Sequence, residues 1–404
     1  MNYDLLKGTR VIESSAFIAA PLCGMTLAQL GADVIRVDLI GGGIDYNRLP
    51  LSEDGRSIYW TSLNKAKRSV AIDLRSGEGR ELIQNLVCAP GEQSGVLLTN
   101  IGVDWLSHEV LQARRADLIS CTIEGNFDGS TAVDYTVNCA TGYPVITGDG
   151  SADRPVNHTL PAWDVICANQ AATAVIAALG RRYRERVGAE IRLALSDSAF
   201  STLSHLGMLT EAELLEPERK SLGNYLYGAF GKDFATSDGR RVMVVAISSK
   251  QWSSLVKACG LEDIIGGLQQ TLGFDFRQEK DRFEGREIIA PLIARWCSTR
   301  TLGQIEQHFK AHGVTYGPYR TVRQLLEEDN RVSLENPLFE YIETEGVGRH
   351  LSCGTPLRFS SLTRGHVQSA PVVGQHTDEV LADVLGLDSH QIGRLHDIKV
   401  VAGP

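Results

Sequence analysis

The sequence has no excess of positive charge: 404 residues carry 40 Lys and Arg against 49 Asp and Glu, a net charge of −9. Nucleic acid as a main partner needs a basic face for its phosphates, so that class is disfavoured. No run of about 20 apolar residues occurs, the length of a spanning helix, and no membrane partner is expected. Met1-Asn2-Tyr3-Asp4-Leu5-Leu6-Lys7 lacks the basic-then-apolar order of a signal peptide. The eight Cys form no C-x-x-C pair, and the ten His fall into no H-E-x-x-H or Cys/His ligand spacing. No metal site is therefore expected, and free buried thiols suit a reducing cytoplasm. G-x-S-x-G is missing, no Cys–His pair can be assigned, and there is no repeat or low-complexity tract.

What is present is ordinary for a soluble globular chain, with 43% hydrophobic and 22% charged residues. The length allows two domains, or one large domain with an insertion. The chain opens strand (Thr9–Glu13), apolar helix (Ala19–Leu30, closed by Gly31), strand (Asp33–Val37), which implies a parallel pair. Strands follow at Arg68–Leu74, Gly95–Asn100, Asp117–Thr122 and Glu190–Leu195, with helices between, and a helix runs from Asp197 to about Leu215. This is a doubly wound α/β pattern. The first βα turn, Glu13-Ser14-Ser15-Ala16-Phe17-Ile18-Ala19-Ala20, lacks G-x-G-x-x-G, which argues against a nicotinamide dehydrogenase. Gly41-Gly42-Gly43 has the wrong spacing and reads as a turn.

Composition shifts at Glu216-Pro217-Glu218-Arg219-Lys220, a natural exit from a first domain. Beyond it lie a hairpin on an Asp238-Gly239 turn, helices from Trp252 to His312, a break at Tyr316-Gly317-Pro318-Tyr319, and a helix over Val322–Glu328. Short strands are expected at Tyr341–Glu343 and Pro356–Phe359, and a last helix at Asp378–Leu385. Lys65-Ala66-Lys67-Arg68 before one strand, with Arg75 after it, is either a solvated edge or a phosphate site.

One carboxylate stands apart. Leu160-Pro161-Ala162-Trp163-Asp164 opens a stretch that stays apolar and Ala-rich to Leu179, which reads as a buried helix with no solvated face. Asp164 is the only charge between Arg154 and Arg181. It is either a helix cap or a nucleophile. A cap stabilises by roughly 1 kcal/mol. As a nucleophile it needs no general base, because an Asp of pKa about 3.9 is ionised at pH 7 and the helix dipole favours that state. It could attack a thioester, whose thiolate leaves readily. Taken alone, the local sequence favours the cap.

Three segments bear on that choice. Gly8–Glu13 followed by Pro21–Val37 resembles the N-terminal signature of the class III CoA-transferases. Asn64–Leu74 resembles that family's second block. Gly374-Gln375-His376-Thr377-Asp378-Glu379-Val380-Leu381 resembles its C-terminal block, with Gln where Glu is usual. The resemblance implies that Asp164 is the nucleophile, forming anhydride and aspartyl-CoA intermediates. It implies CoA contacts at Ile18, Ala19, Ile72, Asp73, Leu74, Arg75, Asn100 and Ile101, and it matches Asp134 to a family Asp lying before a Gly, here Gly142. It implies no tightly bound cofactor, since CoA arrives as part of the acyl-CoA substrate. The implied architecture is a Rossmann-like large domain built from both chain ends (1–215 and the return over 321–404), a smaller inserted α+β domain (222–320), and an interlocked homodimer.

Within the family, Ser15–Phe17, Gly41–Tyr46, Val156–Asp164 and Gly223–Gly231 are similar to a branch that moves CoA between the two carboxyls of one branched unsaturated diacid. Formyl-CoA-type members have a Gly-run loop where this chain has Tyr225-Leu226-Tyr227-Gly228-Ala229-Phe230, here a candidate lid. Racemase members place a His directly before the Asp matched by Asp134. Val133 at that position cannot move a proton. Intermolecular transfer to another acid and CoA binding without catalysis are the alternatives.

Overall fold

Runs of β-branched and aliphatic residues in the first half of the chain each become a strand. They are β1 (Arg10–Ser14), β2 (Asp33–Asp38), β3 (Arg68–Ile72), β4 (Val96–Thr99), β5 (Ile119–Glu124) and β6 (Ala189–Ala194). All neighbouring pairs among them are parallel. β4 is buried at every residue, as a strand covered by helices on both faces should be. The computed structural model describes residues 3–148 and 154–404.

Three further strands form an antiparallel sheet: β7 (Phe230–Ala235), β8 (Arg241–Ala246) and β9 (Thr315–Pro318). Helices between β8 and β9 cover it, and Phe230, Trp252, Phe276 and Phe309 fill the core between them. The expected break at Tyr316–Tyr319 is largely β9. Gly317 and Pro318 are tolerated because the strand lies at the sheet edge and pairs only with β8.

The chain then returns. β10 (Phe339–Thr344) and β11 (Gly348–Cys353) form a hairpin, helices span Thr377–Leu385 and Ser389–Asp397, and β12 (Val401–Ala402) pairs antiparallel with β3. Pro356–Phe359 is not a strand: among the described residues no neighbour offers it a ladder, and Pro356 has no N–H to donate. The large sheet runs β12-β3-β2-β1-β4-β5-β6, so strand order reverses between β1 and β4. Open α/β sheets bind ligands outside the strand C-termini at such a reversal. By compactness the chain divides into a larger unit (Met1–Thr141, Thr159–Glu211, Asn330–Pro404) and a smaller one (Gly142–His158, Ala212–Asp329).

Beneath the first βα turn lies a buried charge network. Arg36 is fully buried, bonds Asp38 through Nε at 2.9 Å, and reaches Glu13 at 3.2 Å and Asp45 at 3.5 Å. Lys67 is equally enclosed and donates to Glu13 (2.9 Å), Asn64 (2.7 Å) and the Pro21 carbonyl (2.8 Å). Gly24 makes room for it, since a Cβ there would stand 1.7 Å from Glu13 Oε2. The cations of residues 65–68 are thus neither a solvated edge nor a phosphate cradle. Lys65 is buried too and donates to Ser352 and the Cys353 carbonyl, while Arg68 pairs with Asp33 and Glu379. Each cation already has partners within the fold.

The helix expected after Asp164 spans Ala162–Glu185 and packs on the Ala19–Gln29 helix and on β5 and β6. It is not enclosed all round. Cys167, Ala168, Ala171, Ala172 and Val175 face inward, while Asn169, Gln170, Thr173 and Ile176 are exposed. The polar residues at 3.6-residue spacing give it a second face that the Ala-rich composition concealed. By length and a mean hydropathy of 1.3 it could cross a membrane, contrary to the expectation that no such helix exists. Its inner face instead covers the sheet. Near its end the buried Arg182 donates to the carbonyls of Ser94 (2.8 Å), Gly95 (3.2 Å) and Asp117 (3.3 Å), where β4 and β5 begin. The helix expected from Asp197 to about Leu215 is broken at Gly207, which has φ +75° between helices Leu195–His205 and Met208–Leu214.

Candidate active site at the strand ends

The residues from 18 to 101 that the family resemblance assigns to CoA lie at or just beyond strand C-termini. Ile18 and Ala19 follow β1, and Ile18 opens the Ala19–Gln29 helix with no side-chain cap and no acidic residue in the first turn. Such an end is suited to an anion. Ile72 closes β3 and is fully buried. Asp73 ties the end of β3 to the C-terminal segment through its N–H and the Val400 carbonyl (2.8 Å), and its carboxylate accepts from Arg75 N (3.1 Å). The Leu74 carbonyl accepts from Arg80. Arg75 is exposed, and its guanidinium has no partner among the described residues. Asn100 follows β4 and clamps the turn after β1, with Oδ1 accepting from Ala16 N (2.9 Å) and Nδ2 donating to the Ala16 carbonyl (2.8 Å). Ile101 beside it is exposed, and its N–H is held by Thr99 Oγ1.

Asp134 and Asp164 form a pair. Asp134 begins the Asp134–Ala140 helix and is 3% exposed. Its Oδ2 accepts from the backbone N–H of Trp163 (2.8 Å) and of Asp164 (3.1 Å). Asp134 therefore caps the Ala162–Glu185 helix, and Asp164 does not; the N-cap position itself is Pro161. The cap reading of Asp164 fails because a carboxylate 30 residues earlier takes those amides. Asp134 Oδ1 is buried and accepts no hydrogen bond among the described residues. Trp163 Nε1 donates to Asn138 Oδ1 (3.1 Å), which ties the start of the Ala162–Glu185 helix to the Asp134–Ala140 helix.

The expectation that the helix dipole keeps Asp164 ionised is also overturned. Burial, and next to it the charge of Asp134, push the Asp164 carboxyl up to about 7. A like charge and lost hydration outweigh the dipole, whose first-turn amides already serve Asp134. The neighbouring thiols do not compete as nucleophiles. Burial holds Cys121 and Cys167 at about 12 and Cys23 well above its usual value, so all three are protonated.

Arg48 and Tyr59, to which no sequence motif pointed, lie beside Phe17 of the Ser15–Phe17 segment. Arg48 lies between two rings, its Cζ 5.5 Å from the centroid of Phe17 and 5.3 Å from that of Tyr59. Phe17 holds φ +66°, with its N–H donated to the buried Asp45 (2.9 Å). Burial raises the Tyr59 phenol to about 12; Arg48 opposes the rise, while Asp164, Asp45 and Tyr135 add to it. Tyr59 is thus in electrostatic reach of both Asp164 and Arg48. The available sequence signal was proximity: Phe17 precedes Ile18, and Arg48 follows the Gly41–Tyr46 segment.

The candidate lid rests on its own unit. Tyr225 Oη donates to Glu287, Lys232 lies over the Tyr225 ring, Tyr227 packs edge-on against Phe283, and Phe230 begins β7. An open cavity of about 370 Å³ in that unit is lined by Tyr225, Lys232, Asp233 and Glu287 among others, and it contains none of the assigned residues.

A parallel sheet in this order, with a largely desolvated carboxylate in the first turn of a helix that covers it and the buried thiols nearby protonated, suits acyl transfer through an aspartyl intermediate. The chain belongs to CoA-transferase family III, whose model matches residues 6–377. Over 402 residues it is 48% identical to the 2-methylfumaryl-CoA isomerase of Chloroflexus aurantiacus, covering 99% of this chain and 98% of that one. It is 25% identical over 433 residues to a formyl-CoA:oxalate CoA-transferase of Rhodopseudomonas palustris, covering 99% and 98%. Among solved structures it shares the fold of a CAIB/BAIF family protein from Brucella suis, with a TM-score of 0.78 at 24% identity over 95% of this chain and 100% of that one.

Proposed function

We propose that this protein moves CoA between the C1 and C4 carboxyls of 2-methylfumaryl-CoA, with Asp164 as the nucleophile. The observation that carries the reading is Asp164 itself: largely buried, relieved of capping by Asp134, and raised to about 7 beside a second carboxylate. A carboxylate of higher pKa is a stronger nucleophile, and half of it is ionised near neutrality.

The ionised Asp164 attacks the C1 thioester carbonyl, giving a mixed anhydride and CoA thiolate. The thiolate attacks the Asp164 carbonyl of the anhydride, giving aspartyl-CoA and the free diacid as a carboxylate. The C4 carboxylate attacks aspartyl-CoA, and thiolate leaves again. Its attack on the C4 carbonyl of the new anhydride yields the C4 thioester and restores Asp164. Atoms and charge balance with no external acceptor. Retaining the diacid turns the second half into an intramolecular step, for which effective molarities of about 10⁵ M or more are known. Excluding water protects the anhydrides.

CoA enters as part of the substrate. Its binding by residues 18–19, 72–75 and 100–101 is supported by their shared position at strand C-terminal ends, with 18–19 and 100–101 flanking the reversal in strand order between β1 and β4. A homodimer is supported by apolar side chains left exposed near the outer face of the Ala162–Glu185 helix and on the helices after it: Ile176, Phe200, Leu206 and Leu209.

The test is incubation with 2-methylfumaryl-CoA plus ¹³C-labelled free 2-methylfumarate. Isomerised ester without label, and a CoA adduct on the Asp164 peptide by mass spectrometry, are expected. Label entering the ester at the turnover rate would replace this reading with intermolecular transfer. Full activity in Asp164→Ala would remove Asp164 from the mechanism.

A further inference from the structure

Resting on that reading, a diacid ester presents a difficulty that Asp164 cannot solve. One carboxyl is the reacting thioester, and the other is a free carboxylate. While CoA is on Asp164, the released diacid carries two. A carboxylate brought into a partly dry site needs a cation or its binding is costly. The fold must offer a cation with unused donors.

Most cations around the first βα turn have none to spare. Arg36 and Lys67 are enclosed in the Glu13 network. Lys65 serves Ser352 and Cys353, Arg68 serves Asp33 and Glu379, and Arg56 reaches the Pro371 carbonyl. Arg75 is free but lies at the end of β3, among the positions assigned to CoA. Arg48 differs. Among the described residues no carboxylate, carbonyl or hydroxyl accepts from its guanidinium, yet that group is held in place.

The holding is aromatic. Phe17 and Tyr59 both lie within 5.5 Å of the guanidinium carbon, which fixes its position while using none of its five N–H donors. The backbone repeats the arrangement. Asp45 accepts from Phe17 N with its carboxylate and from Arg48 N with its carbonyl, and Ser57 Oγ donates to the Arg48 carbonyl just before the Ile58–Leu63 helix that carries Tyr59. One buried aspartate therefore positions both the ring and the cation. Phe17 is directly followed by Ile18 and Ala19, so the guanidinium stands beside the turn assigned to CoA. Tyr59 senses both Arg48 and Asp164.

We propose that Arg48 is the carboxylate anchor of the diacid: its guanidinium binds whichever carboxylate is not engaged with Asp164 and retains the free diacid while CoA is on the enzyme. The planar fork matches a carboxylate through two parallel N–H···O bonds. Because either end of the diacid can occupy it, the same anchor serves both halves of the transfer, first holding C4 and then C1. It selects dicarboxylic mono-CoA esters over monocarboxylic ones.

The experiment compares wild type, Arg48→Met and Arg48→Lys with three probes, 2-methylfumaryl-CoA, butyryl-CoA and succinyl-CoA. Mass spectrometry reads CoA loading on Asp164, and ¹³C-labelled 2-methylfumarate reports escape of the diacid. Arg48→Met should lower kcat/KM for the diacid ester roughly 10- to 100-fold, the size of a charge-assisted hydrogen-bonded pair. Loading from butyryl-CoA should change less than threefold, and labelled acid should now enter the product. Arg48→Lys should recover part of the rate. Equal losses on both esters would mark a structural role and overturn the proposal, as would unchanged turnover without label uptake. If wild type ignores 2-methylfumaryl-CoA but is loaded by succinyl-CoA in an Arg48-dependent way, the substrate reading fails and the anchor stands. If no CoA ester loads Asp164, both fall.

Discussion

Two clusters of buried charge lie in the larger unit, and they are built on opposite rules. Around Arg36, three carboxylates and two cations interlock, and nearly every polar atom has a partner of opposite sign. Around Asp164, two carboxylates meet, and among the described residues no cation is bonded to either and one oxygen of Asp134 is left without a hydrogen bond. Burial with compensation gives rigid architecture. Burial of like with like raises the Asp164 carboxyl, because the hydration it loses is not offset by a cation among the described residues. The first cluster fixes the turn at residues 15–19 against which the second must work.

Removing Asp164 should sharpen that contrast most. Asp164→Asn should abolish CoA transfer, with a loss above about 10⁴-fold, measured as isomer formation by liquid chromatography. It should also stabilise the fold at pH 8. A carboxyl whose folded pKa is raised contributes stability below its unfolded pKa and loses it as pH rises through the folded value. The window for Asp164 runs from about 4 to about 7. The lost stability is on the order of 1–3 kcal/mol, allowing for partial solvent access, so urea midpoints of wild type and variant should diverge as pH rises from 4 to 8. Convergence would mean that Asp164 is not the strained group.

Breaking the compensated cluster should do the reverse. Arg36→Met leaves Glu13, Asp38 and Asp45 buried without their shared cation, and should destabilise by about 3–5 kcal/mol in urea denaturation. Next in size is pH. The acid limb of kcat/KM should have an apparent pKa near 7, activity rising with pH as Asp164 ionises. The smallest change is Asp134→Asn, which keeps a capping oxygen for Trp163 N and Asp164 N but removes the like charge. The acid limb should move to lower pH by less than about one unit, because burial is the larger cause. An unmoved limb would separate the two carboxylates.

Much of the fold was legible because its signals are local. β1 to β6, the Ala19–Gln29 helix and the Val322–Glu328 helix follow from periodicity, with a glycine closing the first of these helices. β9 and the segment after Pro356 were misread because strand identity depends on a partner elsewhere, which local composition does not encode. The site divides in the same way. Asp164 stood out as an isolated charge before an apolar run. That Asp134 caps its helix, and that Lys67 belongs to Glu13 rather than to a ligand, depend on contacts 30 and 54 residues away along the chain. The protonation of Asp164 is less legible still, since it follows from lost water and a like charge that only the folded chain brings together.

Arg182 lies 18 residues after Asp164 on one helix, a span of roughly 27 Å at 1.5 Å per residue. Its guanidinium clasps the starts of β4 and β5, while Asp164, the proposed nucleophile, stands at the opposite end. The helix is in effect a lever with its pivot pinned. A tilt of about one degree at the clasp displaces the far end by roughly 0.5 Å over that length, as large as the tolerance of an active-site group. Substitutions around Arg182, remote from any substrate, should therefore register as changes in catalytic rate.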